Sequence, residues 1–190
     1  MNYPLNHNSW GNEELRAIKK TLDSGIYTYR GKYVKEFEKK LSKIFKTKYA
    51  IMVNSGSSAN LVAIASLFYK KNKPLKRGDE VIVPALAWST TYHPLQQFGL
   101  KVKLVDIDID TLNVNVETVM KAVSKKTKLI LGVSILGNPV ELHKLKSFCN
   151  RKKIYLMEDN CESMGATINN KFTGTYGIVN TFSTFFSHHI

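Results

Sequence analysis

The chain has 190 residues, of which 43% are hydrophobic and 23% are charged, a composition typical of a globular protein rather than a disordered or fibrous one. No stretch approaches the roughly 18 consecutive apolar residues that cross a bilayer, and residues 1–10 lack the regions of a secretion signal. We therefore expect a cytoplasmic protein with no membrane partner. The net charge of +13 is spread along the chain, which favours small anionic ligands and not nucleic acid.

Two cysteines, Cys149 and Cys161, are too few for a disulfide framework and lack the paired spacing of a metal site. This usage is typical of a protein in a reducing compartment. We expect no bound metal, and neither thiol is a strong catalytic candidate.

Two amphipathic helices are predicted at the N-terminus. The first has apolar residues at helical spacing between a capping residue and a terminal glycine, namely Asn12, Leu15, Ile18, Leu22 and Gly25. The second follows turn residues 29–31 and continues to about Phe45, with apolar residues at Val34, Phe37, Leu41 and Ile44. We expect residues 1–48 to form a helical lead-in to the main domain.

From Tyr49 onward, short apolar runs alternate with helical segments. Strands are predicted at residues 49–53, 80–84, 101–107, 128–135, 154–159 and 180–185. Helices are predicted to start near Ser57, Ser89, Val116 and Glu141. Because the connections are long enough for crossovers and the strands are continuously apolar, this pattern predicts an α/β fold. Its mostly parallel sheet is covered by helices on both faces, as three α/β/α layers within residues 49–190.

Small residues form the turn before the first helix of this domain, in the segment Ser55-Gly56-Ser57-Ser58-Ala59-Asn60. Such residues let backbone N–H groups approach an anion at the positive end of the helix dipole. The segment is therefore either a phosphate-binding turn or only a tight turn with an N-cap. It is not a Walker A motif, because no Gly-Lys-Ser/Thr sequence follows at the needed spacing.

An acid and an aromatic residue lie at the carboxyl ends of two other predicted strands. Asp159 ends the strand 154–159, at the edge of the sheet where ligands collect in open α/β folds. Its carboxylate suits the protonated ring nitrogen of a pyridine cofactor, or it caps the next turn. Glu162 follows three residues later and is placed to reach the same pocket. Trp88 follows the strand 80–84, where its ring either stacks on a cofactor or fills core space.

Two adjacent histidines, His188 and His189, follow the last predicted strand. No Glu-x-x-His motif or second Cys/His cluster accompanies them, which disfavours a metal site. A single imidazole that shuttles protons is the stronger functional interpretation, because imidazole exchanges protons near neutral pH. The alternative is a histidine pair in a surface loop.

Five segments, in register along the chain, carry a family resemblance. They are Gly31-Lys-Tyr-Val-Lys-Glu-Phe37-Glu38, Val53-Asn-Ser-Gly56-Ser57-Ser-Ala-Asn60, Gly78-Asp-Glu-Val-Ile-Val-Pro84, Glu158-Asp159-Asn-Cys-Glu162 and Phe182-Ser183. The whole chain resembles the N-terminal half of the sugar aminotransferase family of fold-type I pyridoxal-phosphate enzymes, which modify nucleotide-linked 4-ketosugars. The resemblance implies the incomplete large domain of that fold, without its C-terminal small domain. It also implies a homodimer with shared active sites.

The resemblance further implies a cofactor-binding role for six residues. The implied contacts are Gly56, Ser57 and Ser183 with the cofactor phosphate, Trp88 with the ring face, Asp159 with the ring nitrogen and Glu162 with the ring hydroxyl.

A seventh residue, His188, stands where aminotransferases of this family carry the lysine that binds the cofactor covalently. The position is counted five places after Ser183, and no lysine follows Lys171. Imidazole cannot form a Schiff base, so the resemblance implies pyridoxal or pyridoxamine 5'-phosphate that is not covalently bound. Imidazole can still transfer protons as that lysine does, so His188 is the expected catalytic residue.

Histidine at this position marks the sugar 3-dehydratases within the family. Three segments resemble that subgroup: Leu136-Gly-Asn-Pro139, Glu158-Asp-Asn-Cys-Glu-Ser-Met-Gly-Ala166 and Phe186-Ser-His-His-Ile190. The implied reaction is C3 dehydration of a nucleotide-linked 4-keto-6-deoxysugar in colitose and O-antigen biosynthesis, with GDP-4-keto-6-deoxy-D-mannose as the expected substrate. His188 would take a proton from the cofactor C4′ carbon, and the C3 hydroxyl would leave. Hydrolysis would release a 3-deoxy-4-ketosugar and ammonia, and L-glutamate would restore the amine cofactor.

Three alternatives stay open. The CDP-linked hexulose 3-dehydrase also has histidine here but needs an iron–sulfur cluster, whose several cysteine ligands are not supplied by Cys149 and Cys161 alone. An ordinary sugar aminotransferase would need the lysine. The third alternative is an inactive truncated product, because the chain stops at Ile190 directly after Ser187-His188-His189. Such a polypeptide is expected to be poorly soluble, since apolar surface is left unburied.

Overall fold

The computed structural model describes residues 10–25, 31–186 and 188. These residues form two compact units. The first contains the described residues up to Met52 and those from Phe185 onward, and the second is Val53–Thr184. None of the helices in the described part of the chain is long and apolar enough to cross a membrane.

The first unit contains helices α1 (Asn12–Asp23) and α2 (Lys32–Ile44). The predicted N-cap at Asn12 is wrong by one residue: the cap is Gly11, whose N–H donates to the Glu14 carboxylate at 2.7 Å. Gly25 follows the C-terminal end at φ +65°, as the sequence predicts, because a left-handed residue there favours glycine. The N–H of Met52 donates to the Glu38 carboxylate of α2 at 2.9 Å.

The second unit is built on a five-stranded parallel sheet, which confirms the predicted α/β fold class. Its strands are β1 (Glu80–Pro84), β2 (Lys101–Val105), β3 (Thr127–Val133), β4 (Tyr155–Asp159) and β7 (Val179–Thr181), in the order β2-β1-β3-β4-β7. The short strands β5 (Thr167–Ile168) and β6 (Lys171–Phe172) pair with each other as an antiparallel hairpin.

Successive strand residues point to opposite faces of the sheet, and the side chains on both faces are apolar. Helices therefore cover both faces. Helices α3 (Gly56–Phe68) and α4 (Ser89–Gln97) pack on one face, and α5 (Val116–Ala122) and α6 (Leu142–Lys152) on the other. In β3, for example, Leu129 packs toward the α3 and α4 side and Ile130 toward the α5 and α6 side. The carboxyl ends of the parallel strands therefore share one edge, where the helices α3 and α4 begin.

The predicted strand at residues 49–53 is wrong for the described chain. These residues belong to neither sheet, and Tyr49 and Ile51 are 73% and 68% exposed. An apolar run becomes a strand only where another strand offers its backbone groups, and the apolar pattern alone does not supply that partner. The last strand is also shorter than predicted: β7 ends at Thr181 rather than at residue 185.

Candidate cofactor site at the carboxyl ends of the strands

Asp159 ends β4 and is 5% exposed. Its Oδ2 atom accepts hydrogen bonds from the Asn60 amide and the Thr91 hydroxyl, both at 2.8 Å. Its Oδ1 atom accepts the backbone N–H of Cys161 at 3.3 Å. A buried carboxylate at a strand end is thus held by side chains from α3 and α4.

The Asn60 amide is itself held by Thr181 of β7. The Thr181 hydroxyl donates to Asn60 Oδ1 at 2.7 Å, and Thr181 is the residue paired with Asp159 in the sheet. All of these side chains are buried. We call Asp159, Asn60, Thr91 and Thr181 the carboxylate network.

Gly56 and Ser183, both predicted to hold a phosphate, meet at the start of α3. A Cβ atom added to Gly56 would lie 2.9 Å from Ser183 Cβ and 2.9 Å from Cys161 Sγ, so only glycine fits. Ser55 is the N-cap of α3, and its hydroxyl accepts the N–H of Ser58 at 3.1 Å. The segment is therefore a capped helix start that also brings small residues from three parts of the chain together.

Ser57 follows Gly56 in the first turn of α3. Its hydroxyl donates to the Thr90 hydroxyl at 3.1 Å, which links the first turns of α3 and α4. Hydroxyl groups and N–H groups at such helix starts suit a phosphate.

Trp88 lies between β1 and α4, at the N-cap position of the helix. Its side chain is 69% exposed, which excludes the interpretation that it fills core space. Trp88 is three residues from Thr91, which contacts Asp159, so the chain holds an exposed aromatic ring close in sequence to the carboxylate network.

Glu162 has a definite partner in the structure. Its Oε2 atom accepts the backbone N–H of Leu136 at 2.9 Å. Leu136 follows β3 with φ +50°, a left-handed conformation that needs local support. Glu162 thus stabilises the turn after β3, and its predicted contact with a ring hydroxyl stays a prediction.

Glu158, the acid that precedes Asp159, has different hydrogen-bond partners. Its buried carboxylate accepts the backbone N–H groups of Gly174, Tyr176 and Gly177. Burial raises the pKa of Glu158, and these N–H groups oppose that shift. The two adjacent acids therefore divide their roles, because Glu158 fixes the loop before β7 while Asp159 joins the carboxylate network.

Cys161 lies beside Asp159. Burial raises the pKa of the Cys161 thiol, and the neighbouring Asp159 charge raises it further. The thiol is therefore protonated at neutral pH.

His188 belongs to the first unit. Its ring packs edge-on against Phe185 with the ring centroids 5.5 Å apart, and its backbone N–H donates to the Phe185 carbonyl at 3.0 Å. The catalytic role of His188 stays a prediction. Ser187 and His189 lie outside the described residues.

Three members of the carboxylate network, Asn60, Thr91 and Thr181, were not predicted as site residues. The available signals were indirect: Asn60 ends a segment that carries the family resemblance, and Thr181 precedes Ser183 by two residues. Only the fold brings them together.

The residues present fit a phosphorylated pyridine cofactor. The close contact of Gly56 with Ser183 leaves no room for a larger side chain at the helix start, where backbone N–H groups suit a phosphate. The buried carboxylate of Asp159 suits a cationic ring nitrogen. Within residues 10–25, 31–186 and 188, no group of three or more His, Cys, Asp or Glu side chains could hold a metal ion.

Comparison with known proteins gives close relatives over the whole chain. The chain is 54% identical over 190 residues to GDP-4-keto-6-deoxy-D-mannose 3-dehydratase of Escherichia coli O55:H7, covering 100% of this chain and 49% of the relative. It is 52% identical over 190 residues to the enzyme of the same name from Yersinia pseudotuberculosis, covering 100% of this chain and 48% of the relative. The chain thus spans about half the length of the curated relatives that it matches.

Solved structures agree with this comparison. The E. coli GDP-4-keto-6-deoxy-D-mannose 3-dehydratase with bound hydrated pyridoxal phosphate superposes with a TM-score of 0.95 at 54% identity, over 100% of this chain and 49% of that chain. An aminotransferase from Psychrobacter cryohalolentis superposes with a TM-score of 0.85 at 26% identity, over 92% of this chain and 43% of that chain. The profile of the DegT/DnrJ/EryC1/StrS aminotransferase family matches residues 8–190. The chain therefore belongs to the DegT/DnrJ/EryC1/StrS aminotransferase family.

Proposed function

We propose that this chain is the cofactor-binding part of an enzyme that removes the C3 hydroxyl of a nucleotide-linked 4-keto-6-deoxysugar, with GDP-4-keto-6-deoxy-D-mannose as substrate. The observation that carries the proposal is His188, in a chain 54% identical to a 3-dehydratase of that substrate. Histidine retains proton transfer and removes covalent attachment of the cofactor, which favours dehydration over transamination.

The cofactor in this proposal is pyridoxal or pyridoxamine 5'-phosphate, not covalently bound. The amine form supplies a group that condenses with the sugar ketone and a ring that accepts electrons from the neighbouring carbon. Gly56, Ser57 and Ser183 bind the phosphate, where the helix start offers N–H and hydroxyl groups. Asp159 holds the proton on the ring nitrogen, so that the ring stays cationic.

Three further residues complete the proposed chemistry. Trp88 stacks on the ring face, which is consistent with its exposed indole. Glu162 lies near the ring hydroxyl. His188 removes a proton from the C4′ carbon, and departure of the C3 hydroxyl follows.

The proposal also includes partners and a location. L-Glutamate is the amino donor that restores the amine cofactor after ammonia is released. We propose a homodimer in the cytoplasm, and the exposed apolar residues of α1 support an association between chains.

The test uses the full-length protein with pyridoxal phosphate, L-glutamate and GDP-4-keto-6-deoxy-D-mannose. We expect release of ammonia and a 3-deoxy-4-ketosugar, measured by coupled ammonia assay and mass spectrometry. The His188→Asn variant should lose at least about 100-fold in the rate of C3 dehydration, because a general base contributes 10²–10⁴-fold. The His143→Asn variant is the matched control, since His143 is an exposed histidine on α6.

The His188→Lys variant gives an independent readout. It should bind the aldehyde cofactor covalently, which borohydride reduction and mass spectrometry detect as an added mass on the protein. The proposal is overturned if unmodified protein yields an aminated sugar instead of a deoxysugar, or if His188→Asn dehydrates the substrate at the normal rate.

A further inference from the structure

Asp159 needs a fixed orientation to serve a ring nitrogen, because a carboxylate that rotates offers its oxygens in changing directions. Its two oxygens are not equivalent in the structure. Oδ2 accepts two short hydrogen bonds, from Asn60 and Thr91, both at 2.8 Å. Oδ1 accepts the longer bond from the Cys161 backbone N–H at 3.3 Å, and the Cys161 thiol, a weak donor, also bonds to this carboxylate. Oδ1 is therefore the oxygen with the greater acceptor capacity for a ring N–H.

We infer that Asn60 and Thr91 are positioning residues for Asp159. Their two hydrogen bonds fix the carboxylate through Oδ2 and so present Oδ1 to the ring nitrogen of the cofactor. This inference rests on the proposed function, in which Asp159 meets that nitrogen.

The orientation of the Asn60 amide follows from its partners. A carboxylate oxygen only accepts hydrogen bonds, so the Asn60 NH₂ group must face Asp159. The amide carbonyl then faces Thr181, whose hydroxyl donates to it at 2.7 Å. Thr181 thereby adds a hydrogen bond to the amide in the orientation that the carboxylate requires.

The Thr91 hydroxyl is committed to the carboxylate. Thr91 lies in the first turn of α4 and is 1% exposed, and its hydroxyl donates to Asp159. The network thus ties α3, α4, β4 and β7 to one carboxylate, which suits a group that must be held rigid.

The experiment loads the full-length protein with pyridoxal phosphate that carries ¹⁵N in its ring and records the nitrogen signal over a range of pH. The test variants are Thr91→Val and Asn60→Leu, which remove each donor while keeping a side chain of similar size. Asp159→Asn is the reference for loss of the carboxylate. Thr173→Val is the matched control, because Thr173 is a fully buried threonine whose hydroxyl donates to Ser163 and Ala166 carbonyls instead.

We expect the protonated ring signal of unmodified protein to persist in Thr173→Val. In Thr91→Val and Asn60→Leu the signal should shift toward neutral pyridine, with its titration about one pH unit lower and the dissociation constant for pyridoxal phosphate about tenfold higher. Thr91→Ser keeps the hydroxyl and should restore both values. Thr181→Val should give a smaller shift in the same direction, and it decides the role of Asn60 if Asn60→Leu fails to fold.

The possible failures are distinguishable. If Asp159→Asn abolishes the protonated signal while Thr91→Val and Asn60→Leu behave like Thr173→Val, the positioning role is overturned and the proposed function stands. If unmodified protein shows no protonated ring signal, the role of Asp159 in the proposed function is overturned, and this inference with it.

Discussion

Single residues in the second unit show how little space the candidate site leaves for a larger side chain. Gly56 lies against Ser183 and Cys161, so a methyl group at this position would overlap both. Gly132 of β3 is different, because an added Cβ would meet Leu142 at an ordinary contact distance of 3.4 Å. These two glycines therefore provide a test of close packing at the start of α3.

Gly56→Ala should lower the free energy of unfolding by about 1–3 kcal/mol, because overpacking moves Ser183 and Cys161. It should also weaken pyridoxal phosphate binding, which fluorescence titration measures. Gly132→Ala should leave that binding constant unchanged. Unaltered cofactor affinity in Gly56→Ala would argue that this turn does not hold the phosphate.

At the scale of elements, two adjacent acids connect β4 to different parts of the second unit. Asp159 reaches α3 and α4, whereas Glu158 accepts N–H groups from the loop that precedes β7. That loop leads to Thr181 of the carboxylate network and to Ser183. Glu158 should therefore affect the site through the position of β7.

Glu158→Gln should lower the free energy of unfolding by about 1–3 kcal/mol, because the new NH₂ group faces backbone N–H groups that it cannot accept from. Hydrogen exchange at Tyr176 and Gly177 should accelerate, since both N–H groups donate to this carboxylate. Glu117→Gln, on the exposed side of α5, is the control and should leave both measurements unchanged. Normal exchange protection in Glu158→Gln would contradict the anchoring role.

At the scale of the whole molecule, apolar side chains of the first unit remain exposed. In α1, Leu15 and Leu22 are 58% and 59% exposed, although they occupy the apolar face that an amphipathic helix normally buries. Tyr49 and Ile51 are exposed as well. Surfaces of this kind favour association.

We therefore expect the 190-residue chain, expressed by itself, to self-associate and to bind a hydrophobic dye. Light scattering after size exclusion and dye fluorescence measure these two properties. Combined Leu15→Lys and Leu22→Lys substitutions should reduce both, whereas Glu13→Lys, which alters the charge of the same helix outside its apolar face, should not. A monodisperse chain without dye binding would contradict this expectation.

The sequence alone predicted the parallel α/β fold, because apolar strand runs and helical periodicity depend only on residues that are neighbours in the sequence. It also singled out Gly56, Asp159, Ser183 and His188, through their places after strands and through family resemblance. It failed at residues 49–53, where the apolar pattern is present but no partner strand pairs with it in the described chain.

Only the tertiary structure decided which side chains hold Asp159. Asn60, Thr91 and Thr181 are separated from it by 99, 68 and 22 residues, and polar residues at such separations have no pattern that indicates a contact. Parallel strand pairing brings Thr181 beside Asp159, and packing of α3 and α4 on the sheet brings the other two. The sequence determined the acid at the strand end, and the fold determined the network that orients it, because hydrogen bonds between distant segments form only after the sheet has assembled.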